Sequence, residues 1–166
     1  MDKTYADTVR LLLAVAPDVF ANDIFAMKGG TAINLFVRDM PRLSVDIDVV
    51  YLPWQTPRDE ALQAINQELA AIATRVAPLG VQTRLVRAKD LGDTKLIVEN
   101  DASQVKIEVN VVFRGSVLPV ERRPLSAKTS DLFGVEFELP VLAPDELYAS
   151  KLVAALDRQH PRDLFD

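Results

Sequence analysis

Apolar and polar positions along this chain recur with two different periods, and the switches between them mark its elements. Between about residues 4 and 21, Val9, Leu12, Leu13, Val15, Ala16, Val19 and Phe20 recur at close to helical spacing. Pro17 falls inside that run, so the pattern predicts one kinked helix or two short ones. Residues 23 to 27 read as a short buried strand leading into Lys28-Gly29-Gly30. Thr31 to Val37 follows as a helix with Ala32, Leu35 and Phe36 inward, and Pro41 closes the connection. Residues 45 to 51 alternate as a strand. Ile47 and Val49 go to the core, and Asp46 and Asp48 stand side by side on the other face.

Residues 57 to 77 carry the strongest helical signal. Proline opens the segment, Asp59 and Glu60 lie in the first turn, and Leu62, Ile65, Leu69, Ile72 and Val76 follow at three- and four-residue steps. Pro78-Leu79-Gly80 ends it. Three strands are expected next, at 81 to 87, 94 to 99 and 104 to 113, the last two joined as an antiparallel hairpin through Asn100-Asp101-Ala102-Ser103. In the third, Val105, Ile107, Val109 and Val111 share one face, while Lys106, Glu108, Asn110 and Val112 share the other. Residues 116 to 142 are extended and proline-punctuated, with a strand at 134 to 139. Pro144 opens a final helix that runs to about Arg158 and stops before Pro161. Strands and helices in this order indicate a mixed α/β (α+β) domain around one sheet.

The chain's 166 residues are enough for one domain with a sizeable core, and 49% hydrophobic with 26% charged residues is ordinary for a globular protein. With no cysteine, disulfides and thiolate zinc sites are excluded and a cytoplasmic location is expected. No apolar run is long enough for a membrane helix and no signal peptide is evident, so no membrane partner is expected. A net charge of −5 argues against a broad nucleic-acid surface. Two local basic clusters remain, Arg84, Arg87 and Lys89, and Arg114, Arg122, Arg123 and Lys128; both also read as solvated edges and loops.

The chemistry lies in the carboxylates. Asp46 and Asp48 on one strand face repel each other unless a cation joins them, and such oxygen ligands suit Mg²⁺, with Mn²⁺ possible. Glu108, flanked by core residues on a later strand, is the natural third metal ligand beside that pair. The bare N–H groups of Gly29-Gly30 suit phosphates. Together these pieces propose an NTP, a divalent metal and phosphoryl-type transfer. Taken singly, each has a plain reading: a tight turn for Gly29-Gly30, a solvated face for Asp46-x-Asp48, a snorkelling surface cation for Lys151, a helix cap for His160, and packing for Trp54.

The order Gly29-Gly30, Asp46-Ile47-Asp48 and Ile107-Glu108-Val109 resembles the DNA polymerase beta-like nucleotidyltransferase superfamily. A closer likeness lies in Lys28-Gly29-Gly30-Thr31-Ala32-Ile33 and Arg42-Leu43-Ser44-Val45-Asp46-Ile47-Asp48. With Lys151, Asp157, Arg158 and the terminal Arg162-Asp163-Leu164-Phe165-Asp166, these resemble the AbiEii/AbiGii toxin family of nucleotidyltransferases. The resemblance implies a nucleotidyltransferase fold and a Mg²⁺-dependent toxin of a type IV toxin–antitoxin or abortive-infection system. It would move a nucleotide from an NTP to an acceptor, in related toxins the 3′ end of tRNA, and would be silenced by a cognate antitoxin. It assigns Asp46 and Asp48 to the metal and makes Glu108 the third ligand or the base. Lys28, Gly29, Gly30 and Thr31 would cradle the triphosphate, with Arg42 and Ser44 in support. Lys151 would reach the phosphates, and Asp163 would complete or brace the site. The family's members are usually longer. Residues 1–143 are therefore expected to be the catalytic core, and 144–166 the start of a shortened C-terminal helical region. Two other readings stay open: a non-catalytic nucleotide- or antitoxin-binding module, and a transferase acting on an antibiotic.

Overall fold

The structure, a computed structural model, describes residues 3–39, 44–87 and 93–158. A seven-stranded mixed sheet forms its centre. In chain order the strands are β1 (Phe25–Lys28), β2 (Ile47–Tyr51), β3 (Gln82–Arg87), β4 (Asp93–Glu99), β5 (Gln104–Asn110), β6 (Glu121–Pro124) and β7 (Glu138–Val141). They lie side by side as β3-β4-β5-β2-β1-β7-β6. The neighbours β2 and β5, and β1 and β7, run parallel; the other four pairs are antiparallel.

Two long helices cover one face. Helix α1 (Lys3–Val19) is a single helix with Pro17 in its last turn, where the missing N–H removes only a bond at the fraying end. Helix α3 (Arg58–Val76) buries Ala61, Ile65, Leu69, Ile72 and Val76. These meet Val9, Leu12, Val15 and Val19 of α1 in one cluster with Phe25, Met27, Ile47, Val49, Leu96, Val98, Ile107 and Val109 of the sheet. The inward set of β5 is the one that strict alternation predicts, and in β2 Ile47 and Val49 are inward as predicted while Val50, on the face of Asp48, is buried too. A short α2 (Gly29–Ala32) runs straight into a π turn at Ile33–Val37, closed by the Arg38 N–H donating to the Ile33 carbonyl at 2.7 Å. The last helix, α5 (Pro144–Arg158), packs on α2 and the π turn.

Three expectations need correction. Strand β5 stops at Asn110, short of Phe113, because the Asn110 Oδ1 accepts the N–H groups of Val112 (2.8 Å) and Phe113 (3.2 Å) and turns the chain. The extended stretch 116–142 contains a helix, α4 (Ala127–Phe133). The Ser126 side chain caps it by accepting the Thr129 N–H, and Gly134 ends it at φ +67°. The strand expected at 134–139 lies at Glu138–Val141, paired with the unforeseen β6. The Asn100 turn does form the hairpin, its Oδ1 accepting from Ala102 and Ser103.

Candidate active site

Strand register assembles the site. Lys28 of β1 is opposite Asp48 of β2, Asp48 is opposite Glu108 of β5, and Glu108 is opposite Lys95 of β4. Four charged residues thus form one row across four strands, on the face away from α1 and α3. Asp46 lies one residue before β2 and points to the same side, so the Asp46–Asp48 pairing expected from alternation is kept although the strand begins at Ile47.

Two of the three acidic groups are already matched with cations. The Lys95 ammonium donates to Glu108 Oε1 at 2.9 Å. The Lys106 ammonium stands 3.4 Å from both Asp46 Oδ2 and Glu108 Oε1, bridging them. Burial would raise the Glu108 pKa, but the Lys95 hydrogen bond and the Lys95 and Lys106 charges outweigh it and hold Glu108 below its usual range. Asp48 behaves oppositely. Burial, together with the charges of Glu108 and Asp46, pushes its pKa up to about 6, although Lys28 and Lys106 pull the other way. Lys106 loses some proton affinity to burial, yet Asp46 and Glu108 raise its pKa on balance.

The glycine turn is built onto this row. Gly29 has φ +79°, and a Cβ there would overlap Asp48 Oδ2 and crowd its Cβ and Cγ. Only glycine combines that backbone with so close an approach. Behind it, the fully buried Thr31 shares a hydrogen bond of 3.0 Å with the Ser44 hydroxyl, which ties the start of α2 to the segment entering β2. Lys151 is half-buried on α5, the helix that packs on α2.

The structure therefore brings together Lys28, Gly29, Gly30, Thr31, Ser44, Asp46, Asp48 and Glu108. Arg42, Lys89, His160, Arg162, Asp163 and Asp166 lie outside the described residues. Among the described residues, no three carboxylates converge as a finished metal cage, since Lys106 separates Asp46 from Glu108. The donor set nonetheless fits a hard divalent cation: three carboxyl side chains from two adjacent strands, one of them a buried acid whose ionised form a bound cation would stabilise. Lys95 is the residue that sequence reasoning missed. Alternation puts Lys106 beside Glu108, but Lys95 reaches it only through the β4–β5 register.

The second basic cluster is largely committed to the fold. Arg114 donates to the Thr56 carbonyl, Arg122 to the Glu138 carbonyl, Arg123 to the Glu121 carboxylate and Lys128 to the Asp39 carbonyl. Trp54 rests on Gly115, where no Cβ would fit, yet remains 62% exposed, so packing occupies only one of its faces.

Among solved structures, the chain is similar to MenT4, a nucleotidyltransferase toxin from Mycobacterium tuberculosis H37Rv. The TM-score is 0.62 at 20% identity, over 99% of this chain and 59% of that one. That likeness establishes a shared fold, and this chain spans about three fifths of the length of MenT4. No curated protein matches. The family described as nucleotidyl transferase AbiEii toxin, type IV TA system, matches residues 10–166. With almost the whole chain matched, and with the glycine turn, paired aspartates and later glutamate joined on one sheet face, this chain belongs to the AbiEii nucleotidyltransferase toxin family.

Proposed function

We propose that the chain is the toxin of a type IV toxin–antitoxin pair acting in abortive infection, and that it transfers a nucleotide from an NTP to the 3′ end of tRNA in the cytoplasm, restrained by a cognate antitoxin. The observation that carries this reading is the seating of Gly29 on Asp48, which itself stands opposite Glu108. A phosphate-binding turn and a carboxylate row are thereby joined in one place.

In the transfer, the acceptor hydroxyl gives up its proton to solvent and its oxygen forms a bond to the α-phosphorus. The bond from that phosphorus to the bridging oxygen breaks, and pyrophosphate leaves. Mg²⁺ or Mn²⁺ held by Asp46, Asp48 and Glu108 would acidify the hydroxyl and neutralise the leaving charge. Glu108, kept ionised by Lys95 and Lys106, acts as an anionic ligand. The backbone N–H groups at Gly29, Gly30 and Thr31 hold phosphate oxygens, and the Thr31–Ser44 hydrogen bond fixes that turn. Lys28 and Lys151 neutralise the triphosphate as compact cations. Arg42 and Asp163 take the supporting roles that the family resemblance gives them.

The test is transfer of label from each of four α-³²P NTPs to total tRNA with Mg²⁺, using the wild-type chain and Asp46→Asn. Asp46 and its partner Lys106 are both more than 40% exposed, so loss of that ion pair changes stability by no more than about 1 kcal/mol. The expected outcome is labelled RNA with one NTP, reduced on the order of 100-fold or more in the variant, with unchanged circular dichroism. Equal labelling by both proteins would remove the metal assignment, and label on a small molecule alone would remove the RNA acceptor.

A further inference from the structure

The charged row does not end at Glu108. In register it continues from Lys95 to Val86 of β3, and the next row on the same face runs from Lys106 through Ile97 to Arg84. The opposite face of β4 and β5 is given over to the core, with Leu96, Val98, Val105, Ile107 and Val109 buried. On the carboxylate side, the side chains of β4 and β5 stay part-exposed, and Arg84 is exposed on the edge strand. An antiparallel sheet can simply leave one face to water. This face differs in where it leads and in what it carries.

We propose that the open face of β3, β4 and β5 is the track for the single-stranded 3′ end of the RNA acceptor. Arg84, Lys95 and Lys106 take its phosphates, and Ile97 and Val86 lie against its bases. This rests on the RNA-acceptor reading above. Three observations support the track. The acceptor hydroxyl must reach Asp46, Asp48 and Glu108, and this face meets those residues without an intervening element. Strands lie about 4.8 Å apart, so Arg84 sits roughly 10 Å from Lys106 with Lys95 on the diagonal, a spacing that a bound strand of phosphates can follow. Arg84 has no ion pair among the described residues, whereas Arg114, Arg122 and Arg123 are each hydrogen-bonded within the fold. Lys95 and Lys106 now neutralise Glu108 and Asp46. A divalent cation on those carboxylates would free both ammonium groups for phosphate.

The experiment measures binding without turnover: fluorescence anisotropy of a labelled single-stranded RNA in Mg²⁺ across a salt series, with binding of a fluorescent NTP recorded separately. Arg84→Glu is compared with Arg122→Glu, an equal charge change on β6 at the far edge of the sheet. Arg84→Glu is expected to weaken RNA binding about tenfold and to flatten the log–log salt dependence by about one unit. Arg122→Glu should stay within about twofold of wild type. NTP binding should not move in either variant, and the melting temperature should not move in Arg84→Glu. Equal RNA affinity in wild type and Arg84→Glu would overturn the proposal. So would equal losses in both variants, or no RNA binding by the wild type. A concentration-dependent dimer that Arg84→Glu abolishes, with RNA affinity unchanged, would assign the face to a second copy and overturn it as well. If Arg84→Glu does weaken RNA binding but no NTP labels RNA, the track stands and the transferase reading fails.

Discussion

Asp48 is the residue on which the site's opposing demands meet. It is pressed under Gly29, stands opposite Glu108 and is followed into the core by Val49. Its pKa rises from an ordinary 3.8 to about 6, so the folded protein binds this proton more tightly than the unfolded chain does. The stability it contributes is therefore full below the ordinary value and is lost as pH rises through about 6. The ionised group then costs on the order of 2–3 kcal/mol. Asp48→Asn keeps the shape without the charge. In the absence of divalent metal it should raise the melting temperature at pH 8 and leave it nearly unchanged at pH 4; a gain independent of pH would contradict this account. The candidate ligands were legible at this scale, because two-residue alternation alone puts Asp46 with Asp48 and Lys106 with Glu108. Lys95 was not, since nothing within its own segment says which strand lies beside it.

Elements are joined by a few specific contacts as well as by apolar area. Glu68 is nearly buried in the middle of α3, an expensive place for a carboxylate. It is met by the Asn22 amide at 2.6 Å and the Arg75 guanidinium at 2.5 Å, and Arg75 also donates twice to the Asp18 carbonyl at the end of α1. This clamp fixes the last turns of α1 against α3. Arg75→Met should destabilise by about 3 kcal/mol, because it leaves Glu68 buried with one amide. Adding Glu68→Met should recover about half of that in urea unfolding; no recovery would show that the loss lies elsewhere. Helix existence was readable where apolar spacing was long, as in α1 and α3, and from the opening proline and first-turn acids in α5. It failed for α4, which has one buried residue, Thr129. The remaining signal there was the cap chemistry of Ser126 and Gly134 rather than periodicity. Strand β5 was overextended for a related reason: Val111, Val112 and Phe113 keep β-forming character, and the Asn110 side chain overrides it.

At the scale of the molecule, one hydrophobic cluster runs from Tyr5 of α1 through every strand from β1 to β5 except the edge strand β3, and on to Leu139 of β7 and Leu147 of α5. A core without a seam predicts one cooperative transition. Urea unfolding followed by far-UV circular dichroism and by Trp54 fluorescence should give superimposable curves, and separated midpoints would show that α5 or β6–β7 melts alone. The linear sequence by itself determined the inward and outward faces of β2 and β5, the long amphipathic helices, the hairpin at Asn100 and the order of glycine turn, aspartate pair and glutamate, all of which are set by contacts between near neighbours and by side-chain period. Tertiary structure alone decided that β2 and β5 pair in parallel, which puts Asp48 opposite Glu108, that Lys95 reaches Glu108 and Lys106 reaches Asp46, and that the carboxylates share an open sheet face with them. Those features depend on pairing between strands far apart in the chain. Periodicity within a strand carries no information about which neighbour it will have, and burial of the whole core selects among the possible neighbours.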